Sequence, residues 1–171
     1  EKKLFRDLDV GTTTFATVDT REDLDRAVAT IGLPSVLKTR TQGYDGKGQR
    51  VLRRRHDLDP AFAAIGGRPL LLEGFVPFER ELSILAARSR TGETVLWPLV
   101  ENVHRDGILR LSIAPAVGAE GALAGQAAAI AAKTLEALDY VGVLAIELFQ
   151  HEGRLLANEM APRVHNSGHW T

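Results

Sequence analysis

The sequence predicts an α+β fold in two lobes built on antiparallel strands, residues 1–68 and 69–171. Three observations carry this. Residues 34–53 read as strand, glycine-rich loop and strand, the pattern of an antiparallel hairpin. Residues 141–160 read as a second hairpin, two apolar strands joined at Glu152-Gly153-Arg154, where glycine suits a tight turn. Between them a run of short strands is followed by one alanine-rich helix, Ala119–Leu138, of strong helical propensity.

Taken in order, Glu1–Leu8 reads as a short amphipathic helix and Thr12–Val18 as a Thr-heavy strand. Thr20 is a helix cap for Arg21–Ile31, with Asp23 in the place of a capping-box acid and Gly32 ending the helix. Strand Ser35–Thr39, the loop and strand Gln49–Arg53 follow, and then a helix from Asp57 or Asp59 through Ile65. The second lobe opens on the apolar strand 69–76, interrupted at Gly74 and Pro77. Strands are expected over Glu79–Arg88, Glu93–Val100 and Leu109–Ile113. In the helix an apolar stripe runs Leu123, Ala127, Ile130 or Ala131, Leu135 and Leu138. Strands Val141–Phe149 and Arg154–Met160 close the chain's regular structure.

At 171 residues the chain suffices for one sizeable core or two small lobes sharing one. A hydrophobic content of 44% and a charged content of 25% are ordinary for a globular protein. A net charge of −1 gives a general nucleic-acid role no electrostatic support. With no cysteine there is neither a disulfide framework nor thiolate chemistry. No apolar run approaches the ~18 residues of a membrane span, and no signal peptide opens the chain, which fits a cytoplasmic protein. Glu1–Arg6 begins as a helix already under way, and residues 165–171 stop without a closing element. Both features fit a domain of a longer protein.

Two stretches carry chemistry. The first places Lys38 at a strand end and follows it with Gly43, Gly46 and Gly48. Glycines let backbone N–H groups approach an anion closely, and with Lys38 and Lys47 they make a cradle suited to nucleotide phosphates. The loop is not a Walker A motif, since no helix opened by Gly-Lys-Ser/Thr follows it. The plain alternative is a hairpin turn with a solvated basic tip. The second stretch contains Glu147 and Glu159, each inside an apolar strand. A hairpin centred on Gly153 pairs residue i with 306 − i and sets the two acids face to face. Facing like charges destabilise a bare sheet. A hard divalent cation reverses the sign, and Mg²⁺ with ATP typically takes one or two carboxylates plus phosphate oxygens. The alternative is an ion pair of one glutamate with Arg154 or Arg163 and a register off by one.

Together the lysine strand, the loop Gly43-Tyr44-Asp45-Gly46-Lys47-Gly48-Gln49, the segment Leu71–Val76 and the paired glutamates resemble an ATP-grasp domain, two lobes gripping ATP between them. Within that superfamily the loop and the run Asn158–Thr171 resemble the 5-(carboxyamino)imidazole ribonucleotide synthases of de novo purine synthesis. That resemblance implies an ATP-dependent carbon–nitrogen ligase with ATP and Mg²⁺. It would carboxylate 5-aminoimidazole ribonucleotide with bicarbonate through carboxyphosphate, in a full-length homodimer with further N- and C-terminal domains. It implies Lys38 and the loop at the phosphates, with Asn158 and Glu159 at the triphosphate. Glu73, Gly74, Phe75 and Val76 would read adenine through backbone groups, Glu81 the ribose, and His104 a further part of the nucleotide. Glu147 and Glu159 would hold Mg²⁺. Arg163, His165 and Asn166, with Tyr44 from the loop, would handle bicarbonate, carboxyphosphate and the imidazole. Many relatives carry a metal-binding Asn where this chain has Ala161. Sequence physics alone reads His104 as a histidine on a surface turn. The rival readings are a non-catalytic nucleotide-binding module, a structural α+β domain, and another carboxylate–amine ligase of the superfamily.

Overall fold

Sequence periodicity resolves into four α-helices and ten strands in the described residues, which in this computed structural model are 1–41, 48–105 and 107–171. In chain order they are α1 (Lys2–Asp7), β1 (Phe15–Val18), α2 (Arg21–Ile31), β2 (Ser35–Thr39), β3 (Gln49–Leu52), α3 (Leu58–Ile65), β4 (Leu70–Gly74) and β5 (Arg80–Arg88). There follow β6 (Thr94–Leu96), β7 (Val100–Arg105), β8 (Ile108–Ile113), α4 (Ala122–Ala137), β9 (Gly142–His151) and β10 (Arg154–Ala161).

The chain divides into two units, Thr13–Val76 with Asp106–Ile108, and the remainder. The expected boundary after residue 68 is therefore displaced. Strand β4 pairs with both β1 and β2 and completes the first unit's sheet, while residues 1–12 belong to the other unit.

The smaller unit is a four-stranded antiparallel sheet in the order β1-β4-β2-β3. Its apolar side chains, among them Leu37, Leu52, Leu70 and Leu72, form one buried cluster with Leu24 and Val28 of α2 and Leu58 and Ala61 of α3. The cap of α2 is as the sequence predicts. Thr20 Oγ1 accepts from the Asp23 amide, and the Asp23 carboxylate accepts from the amides of Thr20 and Asp19. Those two backbone donors hold the Asp23 carboxyl below its ordinary range.

The larger unit is built on a six-stranded sheet, β10-β9-β5-β7-β8, with β6 alongside β5. Alternation divides its faces. Leu82, Ile84, Leu144, Ile146 and Leu148 join Ala127, Ile130, Ala131 and Leu135 of α4 in the main core. Burying each such Leu or Ile side chain contributes roughly 1.5–3 kcal/mol. The opposite face carries Glu81, Ser83 and Leu85 of β5 and Ala145, Glu147 and Phe149 of β9, cross-strand partners in register.

Three expectations need correction. The strand anticipated over 93–100 stops at Leu96, since Pro98 cannot donate to a ladder. The chain resumes as β7, so His104 is a strand residue and not a turn residue. The helix stripe ends at Leu135, because Leu138 is the C-cap and is exposed.

The β9–β10 hairpin matters most for the site. Its turn is two residues long, Glu152 and Gly153, both at positive φ (50° and 72°), the geometry that suits the right-handed twist of two strands. It pairs Arg154 with His151 and Ala157 with Leu148. That register lies one residue from the one expected. A β-bulge between Ala157 and Glu159 then shifts the ladder, and Glu159 faces Glu147 after all. The pairing is as expected, but the bulge sets it, not the turn.

Candidate active site

The core positions of β10 show what the bulge achieves. Leu155 and Ala157 pack in the main core, and the next residue packed there is Met160. Two residues, Asn158 and Glu159, therefore fall between successive core positions, and a bulge sets both on the outer side. That is the face of Glu147, so an amide and two carboxylates are neighbours on one sheet face.

On this face two acids, Glu81 and Glu147, each have a histidine. Glu81 Oε2 lies 2.9 Å from His104 Nδ1, although the N–H does not point straight at the carboxylate. The Glu81 contact raises the His104 pKa above its ordinary 6.5 against the cost of burial, and the charges of Glu147 and Glu159 add to it. Glu147 Oε1 lies 3.1 Å from His165 Nε2. His165 is buried, and its Nδ1 lies 2.9 Å from Ser167 Oγ. Both ring nitrogens are thus engaged within the protein. The turn 165–168 lies close on the sheet, and a Cβ at Gly168 would meet Leu85 at 3.1 Å. Arg163, Asn166 and His169 are exposed, and Arg163 Nη1 donates to the Val164 carbonyl.

Sequence reasoning missed Ser83, Asn102 and Ser167, which are buried and linked to His165 by hydrogen bonds. Their signal was Ser83, a hydroxyl inside the apolar run Leu82–Ala87 of β5. The parallel-stacked pair Phe78 and Phe149, ring centroids 4.6 Å apart, was also missed; Phe149 is the cross-strand partner of Glu81.

In the smaller unit, Lys38 Nζ lies 2.9 Å from Glu73 Oε2. Val36 is the direct partner of Glu73, so Lys38 reaches it diagonally across β2 and β4. The Glu73 side chain is 5% exposed and that of Lys38 23%. Glu73 is thus a counter-ion as well as a member of the 73–76 segment. Within that segment the Gly74 amide donates to Thr14, its carbonyl accepts from Thr13 Oγ1, and the Phe75 amide donates to Pro34. The Phe75 carbonyl and the Val76 amide make no hydrogen bond among the described residues. Gly48 has φ +105°, its carbonyl accepts from the Thr39 amide, and Gln49 pairs with Lys38. Gly43, Tyr44, Asp45, Gly46 and Lys47 lie outside the described residues.

Comparison with known proteins decides the family. The profile of the ATP-grasp domain matches residues 3–171. The chain belongs to the ATP-grasp family. This ATP-grasp chain is 56% identical over 171 residues to the N5-carboxyaminoimidazole ribonucleotide synthase of Pseudomonas aeruginosa, across 100% of the chain and 47% of that protein. It superposes on the N5-carboxyaminoimidazole ribonucleotide synthetase of Thermus thermophilus with a TM-score of 0.91 at 56% identity, covering 99% of this chain and 45% of that one. On the Aspergillus clavatus synthase in complex with ADP and 5-aminoimidazole ribonucleotide the TM-score is 0.89 at 29% identity, covering 98% and 44%. The chain spans about half the length of the curated relatives it matches.

Proposed function

We propose that this chain is the ATP-grasp domain of an N5-carboxyaminoimidazole ribonucleotide synthase. The full-length protein would convert ATP, bicarbonate and 5-aminoimidazole ribonucleotide into N5-carboxyaminoimidazole ribonucleotide, ADP and phosphate, a step of purine synthesis. The carrying observation is the Glu147–Glu159 pair, set on one face by a bulge, in a chain 56% identical throughout to such a synthase.

The donor set fits a divalent cation. Two carboxylates face each other and Asn158 adds an oxygen beside them, while Ala161 offers none. Among the described residues no group of three His, Cys, Asp or Glu side chains could hold a metal, so remaining ligands would come from phosphate and water. Glu147 and Glu159 would hold Mg²⁺, which neutralises triphosphate charge as phosphoryl transfer proceeds.

The protein's own groups supply the rest. The Phe75 carbonyl and the Val76 amide are the backbone acceptor and donor left to read an adenine edge, so Glu73 and Gly74 contribute by position. The Glu81 carboxylate would accept from ribose hydroxyls beside His104. Lys38, held extended by Glu73, would meet the phosphates with Gly43–Gln49. Phosphoryl transfer to bicarbonate demands positioning and charge neutralisation more than covalent help. Arg163 would stabilise the carboxyphosphate anion, and Asn166 and Tyr44 would meet bicarbonate and the imidazole. The exocyclic amine then attacks the carboxyl carbon and phosphate leaves. His165 was expected among the substrate contacts; with both ring nitrogens engaged, it acts through Glu147. We place the protein in the cytoplasm, as a homodimer at full length.

The test is ADP release by the full-length protein. Release that requires both bicarbonate and aminoimidazole ribonucleotide supports the reading. Release with another carboxylate and amine would assign a different ligase of the family.

A further inference from the structure

On the acidic face, buried beside the acids, runs a chain of side-chain hydrogen bonds. Ser112 Oγ donates to Asn102 Oδ1 at 3.0 Å, and Asn102 Nδ2 donates to Ser83 Oγ at 3.0 Å. Ser83 Oγ donates to Ser167 Oγ at 2.8 Å, and Ser167 Oγ lies 2.9 Å from His165 Nδ1. Ser83 and Ser167 are fully buried and Asn102 is 5% exposed. Water therefore does not substitute for a lost partner, and each bond is retained on pain of an unsatisfied buried group.

The chain has a direction. An amide nitrogen can only donate, so Ser83 Oγ accepts from Asn102 and its hydrogen is left for Ser167. Ser167 Oγ, accepting from Ser83, sends its own hydrogen to His165 Nδ1. The Ser167 backbone N–H, which can also only donate, lies on the same nitrogen at 3.4 Å. Two donors facing Nδ1 make it the acceptor, and the ring proton resides on Nε2, the nitrogen 3.1 Å from Glu147 Oε1.

We propose that the relay Ser112–Asn102–Ser83–Ser167 positions His165 as a fixed Nε2–H donor and through it orients the Glu147 carboxylate for a divalent cation. Ser83, Asn102 and Ser167 are then positioning residues for the reaction, although all three are buried. The cation half of this inference rests on the reading under Proposed function; the tautomer half does not.

The experiment is long-range proton–nitrogen NMR on full-length protein with nitrogen-15 histidine, the His165 signals assigned by loss in His165→Gln. The expected result is a protonated Nε2 and an unprotonated Nδ1; a protonated Nδ1 overturns the relay. Mn²⁺ alone is then titrated into wild type, Ser83→Ala and Ser167→Ala, read by paramagnetic broadening of the same signals. Loss of a group that orients a metal ligand typically weakens binding by about 10-fold or more, and that is expected of both variants. Both hydroxyls are small, so the variants are expected to fold, and a thermal melt checks it. Lower melting with unchanged Mn²⁺ affinity would make the relay structural only and overturn the proposal. Wild type that binds no Mn²⁺ overturns the cation half and the metal reading together, while the tautomer still decides the relay.

Discussion

The two sheets each carry a close pair of ionisable groups, and the pairs have opposite character. In the smaller unit Lys38 meets Glu73, a cation with its own anion, across β2 and β4. In the larger unit Glu147 meets Glu159, anion against anion, across β9 and β10. The first arrangement joins opposite charges, and removing either partner takes away a close counter-charge. The second sets two acids together, with His165 Nε2 3.1 Å from Glu147, and under the proposed function it would hold a cation. On the proposed reading, the desolvated opposite charges serve geometry, whereas the adjacent acids serve a ligand.

The contrast is broken most severely at the acid pair. Glu159→Gln is expected to lower Mg²⁺-dependent ATP turnover of the full-length protein by on the order of 100-fold. Its melting temperature without metal should stay the same or rise slightly, because a like-charge neighbour is gone. A Mg²⁺ titration alongside metal-free melts checks both. A variant that unfolds yet keeps normal Mg²⁺ dependence in its folded fraction would remove Glu159 from the metal site.

Lys38→Ala should behave in the opposite sense. It removes the cation 2.9 Å from the buried Glu73 carboxylate, and loss of one partner of a buried pair costs about 3–5 kcal/mol. Some reduction is expected because Lys38 is partly exposed. Urea unfolding of Lys38→Ala against Lys38→Met/Glu73→Gln separates the electrostatic loss from the lost contact, since the double variant should recover most of the stability. Equilibrium ATP binding should weaken in both.

A subtler test sharpens the histidine side. The Glu81 contact raises the His104 pKa, so the protonated form is the one the fold favours. The stability it contributes is full below the ordinary imidazole range and is lost as pH rises through the elevated folded-state value. Melting temperature should therefore decline with pH above about 6.5, and His104→Gln should flatten that decline. Equal slopes in the two proteins would show that the Glu81 contact is not the cause.

The smallest effect is expected at the cap of α2, remote from either pair. Thr20→Ala should cost about 1 kcal/mol in urea unfolding, without altering ATP or Mg²⁺ affinity.

Much of this was determined by the sequence itself. Strand β2, helix α2 with its capping box, and the four core-forming strands β4, β5, β9 and β10 follow from periodicity and local hydrogen bonding, which act over a few residues. The facing glutamates were legible too, because a carboxylate inside an apolar strand is costly wherever it lies. Tertiary structure decided what depends on distant partners. The bulge at Asn158 exists because Ala157 and Met160 both reach the core, a demand set by packing against other elements and not by the hairpin's turn. His104 became a strand residue because β7 pairs with β5, far away in sequence. Glu73 became the counter-ion of Lys38, and Ser83, Asn102 and Ser167 became a relay to His165, only once separate strands met. The chemical type of each residue is local information, but a hydrogen-bond partner tens of residues away is chosen by the fold.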